Sequence, residues 1–283
     1  MFKLFPRALA LAAPLLLLSA VYAQQVQPRT VQDRQDLINW YYAATFGTGI
    51  YTAGDRSVSV LQLPFSRALK DPADGGYGLK AKLSMTFGVY DYDLGDVTHG
   101  DIPESLSTAS LMPGLEWQFQ VTPDWSLRPY ADAGYGQELQ GHESAWIYDF
   151  GVKSRYVFAR NGGVEFALAN SLASAGYRTR GGPDHPFGYL ASGLDMTIPT
   201  ERELFGRTVF VGFTPVYYYY FNRLSFAEFD QPDNRVREEF EVALSIVTRK
   251  PWSLKLFDFD RIGIAVRTSG DITGVTLFTS LPF

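Results

Sequence analysis

Between residues 77 and 89 every second position is apolar: Tyr77, Leu79, Ala81, Leu83, Met85, Phe87 and Val89, with Lys80, Lys82, Ser84 and Thr86 between them. Successive side chains of an extended strand point to opposite faces, so this run is a ribbon with one greasy side and one polar side. The pattern constrains the fold because it recurs. Trp146, Tyr148, Phe150, Val152, Tyr156 and Phe158 oppose Asp149, Lys153 and Arg155. Leu111, Leu115, Trp117, Phe119 and Val121 oppose Glu116, Gln118 and Gln120, and Phe240, Val242, Leu244 and Ile246 oppose Glu239, Glu241 and Arg249. Twelve such runs are expected, at 43–51, 57–69, 77–92, 107–121, 125–136, 145–159, 163–177, 187–198, 207–221, 235–249, 260–268 and 272–283.

Most of these runs are longer than the five or six residues usual for a strand of a globular domain. They suit the roughly 9–11 residues that a tilted strand needs to cross a bilayer. The reading is therefore an all-β chain whose strands close into a transmembrane antiparallel β-barrel of about 12 strands. An even count returns both ends of the barrel to one side. The connections then sort into two sets. Leu69–Gly76, Thr122–Asp124, Arg160–Gly162, Pro199–Gly206 and Lys250–Phe259 form one set, mostly short turns. Thr52–Arg56, Asp93–Ser105, Gln137–Ser144, Arg178–Pro186, Asn222–Asn234 and Ser269–Asp271 form the other, with the longest loops and all three histidines. Lys250–Phe259 is long for its set. Aromatic residues collect at the run ends, as the two interfaces of a membrane select. Tyr217 to Phe221, Trp146, Tyr148 and Tyr135 stand on the loop side, and Trp117, Phe119, Trp125, Tyr156, Phe158 and Phe283 on the turn side.

The chain opens with Lys3 and Arg7, an apolar run over 8–18 and the small-residue site Val21-Tyr22-Ala23. That is the layout of a cleavable secretory signal peptide over 1–23. The apolar run is shorter than the ~20 residues a spanning helix requires. Export then leaves residues 24–42 as a polar N-terminal segment and 43–283 as the barrel. Without Lys3 and Arg7 the chain has 23 basic residues against 30 acidic ones. Such a balance excludes the basic footprint of nucleic-acid binding. No cysteine is present, so there is no disulfide framework and no thiolate metal site. No cofactor and no metal is expected.

The last run reads I-T-G-V-T-L-F-T-S-L-P-F, and alternation puts Val275, Leu277, Leu281 and Phe283 on one apolar face. This arrangement resembles the C-terminal signature by which outer-membrane barrels are recognised by the barrel-assembly machinery. Further blocks point the same way: Phe46-Gly47-Thr48-Gly49-Ile50-Tyr51, Leu61-Gln62-Leu63-Pro64-Phe65, Arg128 through Gly136, Gly151 through Phe158, and Ala175-Gly176-Tyr177-Arg178. Together they resemble the solitary outer-membrane autotransporter-like β-barrel family of proteobacteria, over nearly the whole exported chain. The resemblance implies a twelve-stranded translocator-like barrel with no large passenger, located in the outer membrane and partnered by its lipid and by the assembly machinery. It brings no catalytic residues.

The charges on the polar faces then line the lumen: Lys80, Lys82, Glu116, Arg128, Asp132, Asp149, Lys153, Arg155, Glu165, Asp195, Glu239, Glu241, Arg249 and Arg267. Twelve strands enclose more room than the roughly eight whose side chains alone fill the interior. The expected function is non-enzymatic, either a narrow passive channel or a structural barrel. Residues 24–42, with Asp33, Arg34 and Asp36, are the natural plug. A competing enzymatic reading uses His142 and Ser144, two apart on one outward face, as base and nucleophile of a lipid hydrolase. Its third member is missing: Asn170, the only outward Asn on the next run, is expected opposite Val152, on the order of 25 Å from Ser144. Asn170 itself falls among lipid-facing residues, which a bulge, a shifted register or an oligomer contact would each explain. A third reading is an adhesin acting through the loops, Asn222–Asn234 above all.

Overall fold

The computed structural model describes residues 40, 47–53, 56–72, 76–90, 106–139, 144–180, 182, 184–225, 235–254, 257–270, 272–281 and 283. Twelve strands run in chain order: β1 (Thr48–Ala53), β2 (Arg56–Lys70), β3 (Gly78–Tyr90), β4 (Leu106–Thr122), β5 (Trp125–Glu138) and β6 (Ser144–Asn161), then β7 (Val164–Thr179), β8 (Asp184–Leu204), β9 (Arg207–Ser225), β10 (Arg235–Leu254), β11 (Phe257–Thr268) and β12 (Ile272–Phe278). Each pairs antiparallel with its sequence neighbours, and β1 pairs with β12 to close the barrel. Closure pairs the two edges of the sheet along β1 and β12, where backbone N–H and C=O groups find partners within the wall.

Two-residue turns join β4 to β5, β6 to β7 and β8 to β9 at one end. Gly162 and Gly163 have φ of 58° and 82°, and Phe205 and Gly206 have φ of 52° and 71°. Two successive positive φ values are the mirror-image turn whose twist suits a hairpin, and glycine adopts them without steric cost. The other end carries the longer connections: residues 91–105, 140–143 and 226–234 lie there, outside the described residues. We refer to the turn end and the loop end.

Three expected boundaries are corrected. β8 runs on to Leu204 and β10 to Leu254, beyond the expected ends at 198 and 249 and through Pro199 and Pro251. Proline withholds one ladder hydrogen bond, and the sheet absorbs the loss at local irregularities: the register shifts between Pro199 and Glu203 and between Val247 and Trp252. The β10–β11 connection is therefore short, not the long segment 250–259. β12 stops at Phe278, five residues before the chain's last residue, where β1 has ended although β11 runs on. Thr48, the first residue of β1, already pairs with Leu277. Beyond that point β2 and β11 approach each other directly, with a bridge between Ser66 and Phe257 and a hydrogen bond from Ser66 Oγ to the carbonyl of Asp258 at 3.2 Å.

The two faces of the wall are opposite in chemistry. Leu244, Ile264 and Leu277 lie in one cross-strand row and are 51%, 54% and 58% exposed on the outside. Asp195 and Glu239, at 1% and 0%, are buried inside. Tyr217, Tyr219 and Phe221 face outward as an aromatic cluster, but Tyr218 and Tyr220 of the same run turn inward and are buried.

The lumen as candidate functional site

Inward residues of neighbouring strands meet in three clusters. On the wall of β3 to β6, Lys82 Nζ donates to Asp132 Oδ2 at 2.5 Å. Glu116 lies 3.8 Å from Lys153 and 4.0 Å from Arg128, and stands opposite Lys80 in the β3–β4 register. Tyr130 OH donates to Asp149 Oδ1 at 3.0 Å, and the Lys82 and Lys153 ammonium groups flank the Tyr130 ring at 4.6 and 5.1 Å. The ring face thus offers its negative quadrupole to two cations that would otherwise repel each other.

The second cluster crosses the barrel. Asp195 on β8 receives Arg155 Nη2 from β6 at 3.1 Å, Arg261 Nη2 from β11 at 3.0 Å and Thr214 Oγ1 from β9 at 3.0 Å. Arg155 also donates to Glu165 at 2.9 Å, and Arg261 Nη1 to Ser245 Oγ at 3.1 Å. Two strands, β9 and β10, lie between β8 and β11, so the Arg261–Asp195 pair reaches over the inner wall past Ser245 and Thr214 and does not merely zip adjacent strands. One carboxylate between two guanidiniums has every lone pair engaged, the condition under which a buried charge is tolerated.

The third cluster lies toward the loop end. Arg267 donates through Nε and Nη2 to Glu241 Oε2 at 2.9 and 2.8 Å, and through Nη2 to Tyr218 OH at 2.7 Å. It lies 3.6 Å from Glu239, which accepts a 2.6 Å hydrogen bond from Tyr220. Arg249 stands apart from all three: it is exposed at the turn end, with its guanidinium 5.1 Å from the Phe210 ring.

Arg261, the partner that carries Asp195 across the lumen, was missed in the reading of the sequence. It shares the parity of Arg267 six positions on, and that parity was the available signal. The inward tyrosines were missed for a different reason. An aromatic near a strand end reads as an interface residue, and only the side-chain hydrogen bonds show that Tyr218 and Tyr220 meet Glu241 and Glu239.

Apolar side chains fill what the charges leave. Leu281 and Phe283 are 8% and 6% exposed and belong to one buried cluster with Val216, Tyr218, Ala243 and Ala265, all inward residues. A Cβ on the inward-facing Gly193 of β8 would come within 2.7 Å of Phe283 Cζ. The tail after β12 has therefore folded into the lumen and reaches the far wall. Leu281 and Phe283 do not continue the outward row of Val275 and Leu277, which are 53% and 58% exposed. That placement, and that of Phe283 among the turn-side aromatics, is corrected. Trp40 is also inside, 1% exposed, with its ring where a side chain on Gly136 would stand. The rest of the N-terminal segment expected as a plug, with Asp33, Arg34 and Asp36, lies outside the described residues.

The hydrolase constellation does not assemble from the described residues. His142 lies outside them, and Ser144 is 6% exposed at the start of β6. Asn170 pairs with Ser154, not with Val152, ten positions along β6 from Ser144. Its carbonyl oxygen is taken by Ser192 Oγ at 2.7 Å. Comparison with protein-family models, with curated proteins and with solved structures gave no match.

Proposed function

We propose that this chain is an exported outer-membrane β-barrel of the solitary autotransporter-like kind, non-enzymatic, whose lumen is closed by its own side chains. The observation that carries the reading is the inversion of the wall. Apolar side chains half exposed all around the outside, with ion pairs buried within, is the arrangement that a hydrocarbon solvent stabilises and water does not. Monomeric soluble proteins rarely expose contiguous apolar patches beyond a few hundred Å², and here the apolar face goes round the barrel.

Closure of the lumen is supported by Arg155, Asp195 and Arg261 spanning it and by Phe283 and Trp40 lying within it. A structural barrel or a channel at rest fits this filling better than an open pore.

The test is expression of the full chain in a Gram-negative host, followed by fractionation and electrophoresis with and without heating. The expected result is an outer-membrane species whose mobility shifts on boiling and whose planar-bilayer conductance is negligible. Recovery as a soluble periplasmic species without a heat shift would overturn the membrane reading. A steady open conductance from the wild type would overturn the closed lumen.

A further inference from the structure

The outer wall over β6 to β9 carries a polar row that an acyl-chain environment does not call for. Asn170 points outward between Leu168 and Leu172, which are 45% and 38% exposed. Its cross-strand partners are Ser154 on β6 and Ser192 on β8, and Ser192 in turn pairs with Tyr217 on β9. Hydroxyl, amide, hydroxyl and phenol thus follow one another around the greasy face. The β6–β7 register is continuous past Asn170, its shift lying between Val157 and Ala159, and the β7–β8 register has none. Neither a bulge nor a slipped register explains Asn170. Of the three explanations open from the sequence, the oligomer contact remains.

Hydrogen bonding along the row is incomplete. Ser192 Oγ donates to Asn170 Oδ1 at 2.7 Å, and Trp125 Nε1 donates to Ser154 Oγ at 3.0 Å. Among the described residues no acceptor meets Asn170 Nδ2, which carries two N–H groups. In hydrocarbon an unmet N–H has no water to turn to. Beside the row, a hollow of about 340 Å³ opens on the same outer wall, bordered by Leu168, Leu194, Pro215, Tyr217 and Phe240. A ridge, a hollow and an amide with both donors and an acceptor sit side by side.

We infer that this patch is the contact between two copies of this chain, related by a two-fold axis along the barrel that passes close to Asn170. A two-fold contact uses one surface twice, so it requires a surface that complements itself. The amide does: each Asn170 Nδ2 finds the other copy's Asn170 Oδ1 or Ser192 Oγ. With the axis there, the Leu168 and Leu172 side chains of the two copies pack against each other on either side of the amides. Acyl chains could cover the ridge but offer nothing to the N–H groups of Asn170, which is why the second copy is the better occupant. The inference rests on the membrane reading above.

The chain contains no cysteine, so a single introduced thiol is a clean probe. Leu172→Cys keeps the amide intact and places the thiol on the ridge, and Ile264→Cys on β11 reports random collision. Intact membranes carrying either variant are treated with a short bis-maleimide. The expected result is a cross-linked dimer from Leu172→Cys well above the Ile264→Cys background. Adding Asn170→Leu should lower that yield by about five-fold or more, as loss of an interhelix-type hydrogen bond in lipid does, while the heat shift of the folded barrel stays. Inserted, heat-shifting protein in which Leu172→Cys cross-links no better than Ile264→Cys overturns the dimer alone. An unchanged yield with Asn170→Leu overturns the role of the amide in the contact. Recovery of soluble protein overturns the dimer together with the membrane reading.

Discussion

The long-stranded wall from β4 to β10 and the seam where β1 meets β12 solve the same closure problem by different means. In the wall, strands of 14 to 21 residues pair along most of their length, and their inward side chains lock together through ions. At the seam the strands have 6 and 7 residues, and β2 and β11 meet directly beyond them. There the interior holds Tyr51, Phe278, Leu281 and Phe283 in place of charge. The difference teaches that the strand ladder fixes where the wall's side chains point, whereas the seam depends on a tail that has left the ladder. A residue in the ladder has its direction set by its two neighbours. A residue beyond it goes wherever burial is most favourable.

The largest expected effect breaks the wall. Asp195→Ala leaves the buried Arg261 without its carboxylate and Arg155 with Glu165 alone, a loss of about 3–5 kcal/mol. Urea unfolding of protein refolded into lipid vesicles measures it, and a loss near zero would mean that the ions crossing the lumen do not hold it together. Next comes the seam. Phe283→Ala should remove about 3 kcal/mol, the low end for a buried ring because the freed space borders the lumen. The same variant should raise single-channel conductance. Gly193→Leu, which would drive the ring from its seat, should open the lumen in the same way.

A smaller effect asks whether the contrast stops at the lumen. Leu244→Arg on β10 and Leu277→Arg on β12 lie in one outward row, and each should cost about 2–3 kcal/mol in lipid. Equal losses would show that wall and seam face the same solvent even though their interiors differ. Unequal losses would place the seam against something other than acyl chains. Least of all, Gly163→Ala forces a side chain into a turn with φ of 82°. About 1 kcal/mol is expected, read from the same unfolding curves.

Much of this was legible in the order of residues. A period of two, sustained from Tyr77 to Val89 and repeated along the chain, yields twelve antiparallel strands and separates the outward Leu244 from the inward Glu241. The ends were less legible. Pro199 and Pro251 look like stops, because the sequence does not reveal where a sheet will accommodate a missing N–H. Parity sets Asp195, Arg155 and Arg267 on one face without saying which meets which. The Asp195–Arg261 pair reaches past the two strands between β8 and β11 and depends on the curvature of the closed wall.

By itself, then, the sequence determined the two-faced strands, their number and their antiparallel order, because alternation is a local property of extended backbone. Tertiary structure alone decided that Thr48 would claim Leu277, that β2 and β11 would meet beyond it, and that Leu281 and Phe283 would turn into the lumen. Those outcomes turn on which partners remain once the ring has closed. No window of neighbouring residues contains that information, since it depends on which distant strands are brought alongside.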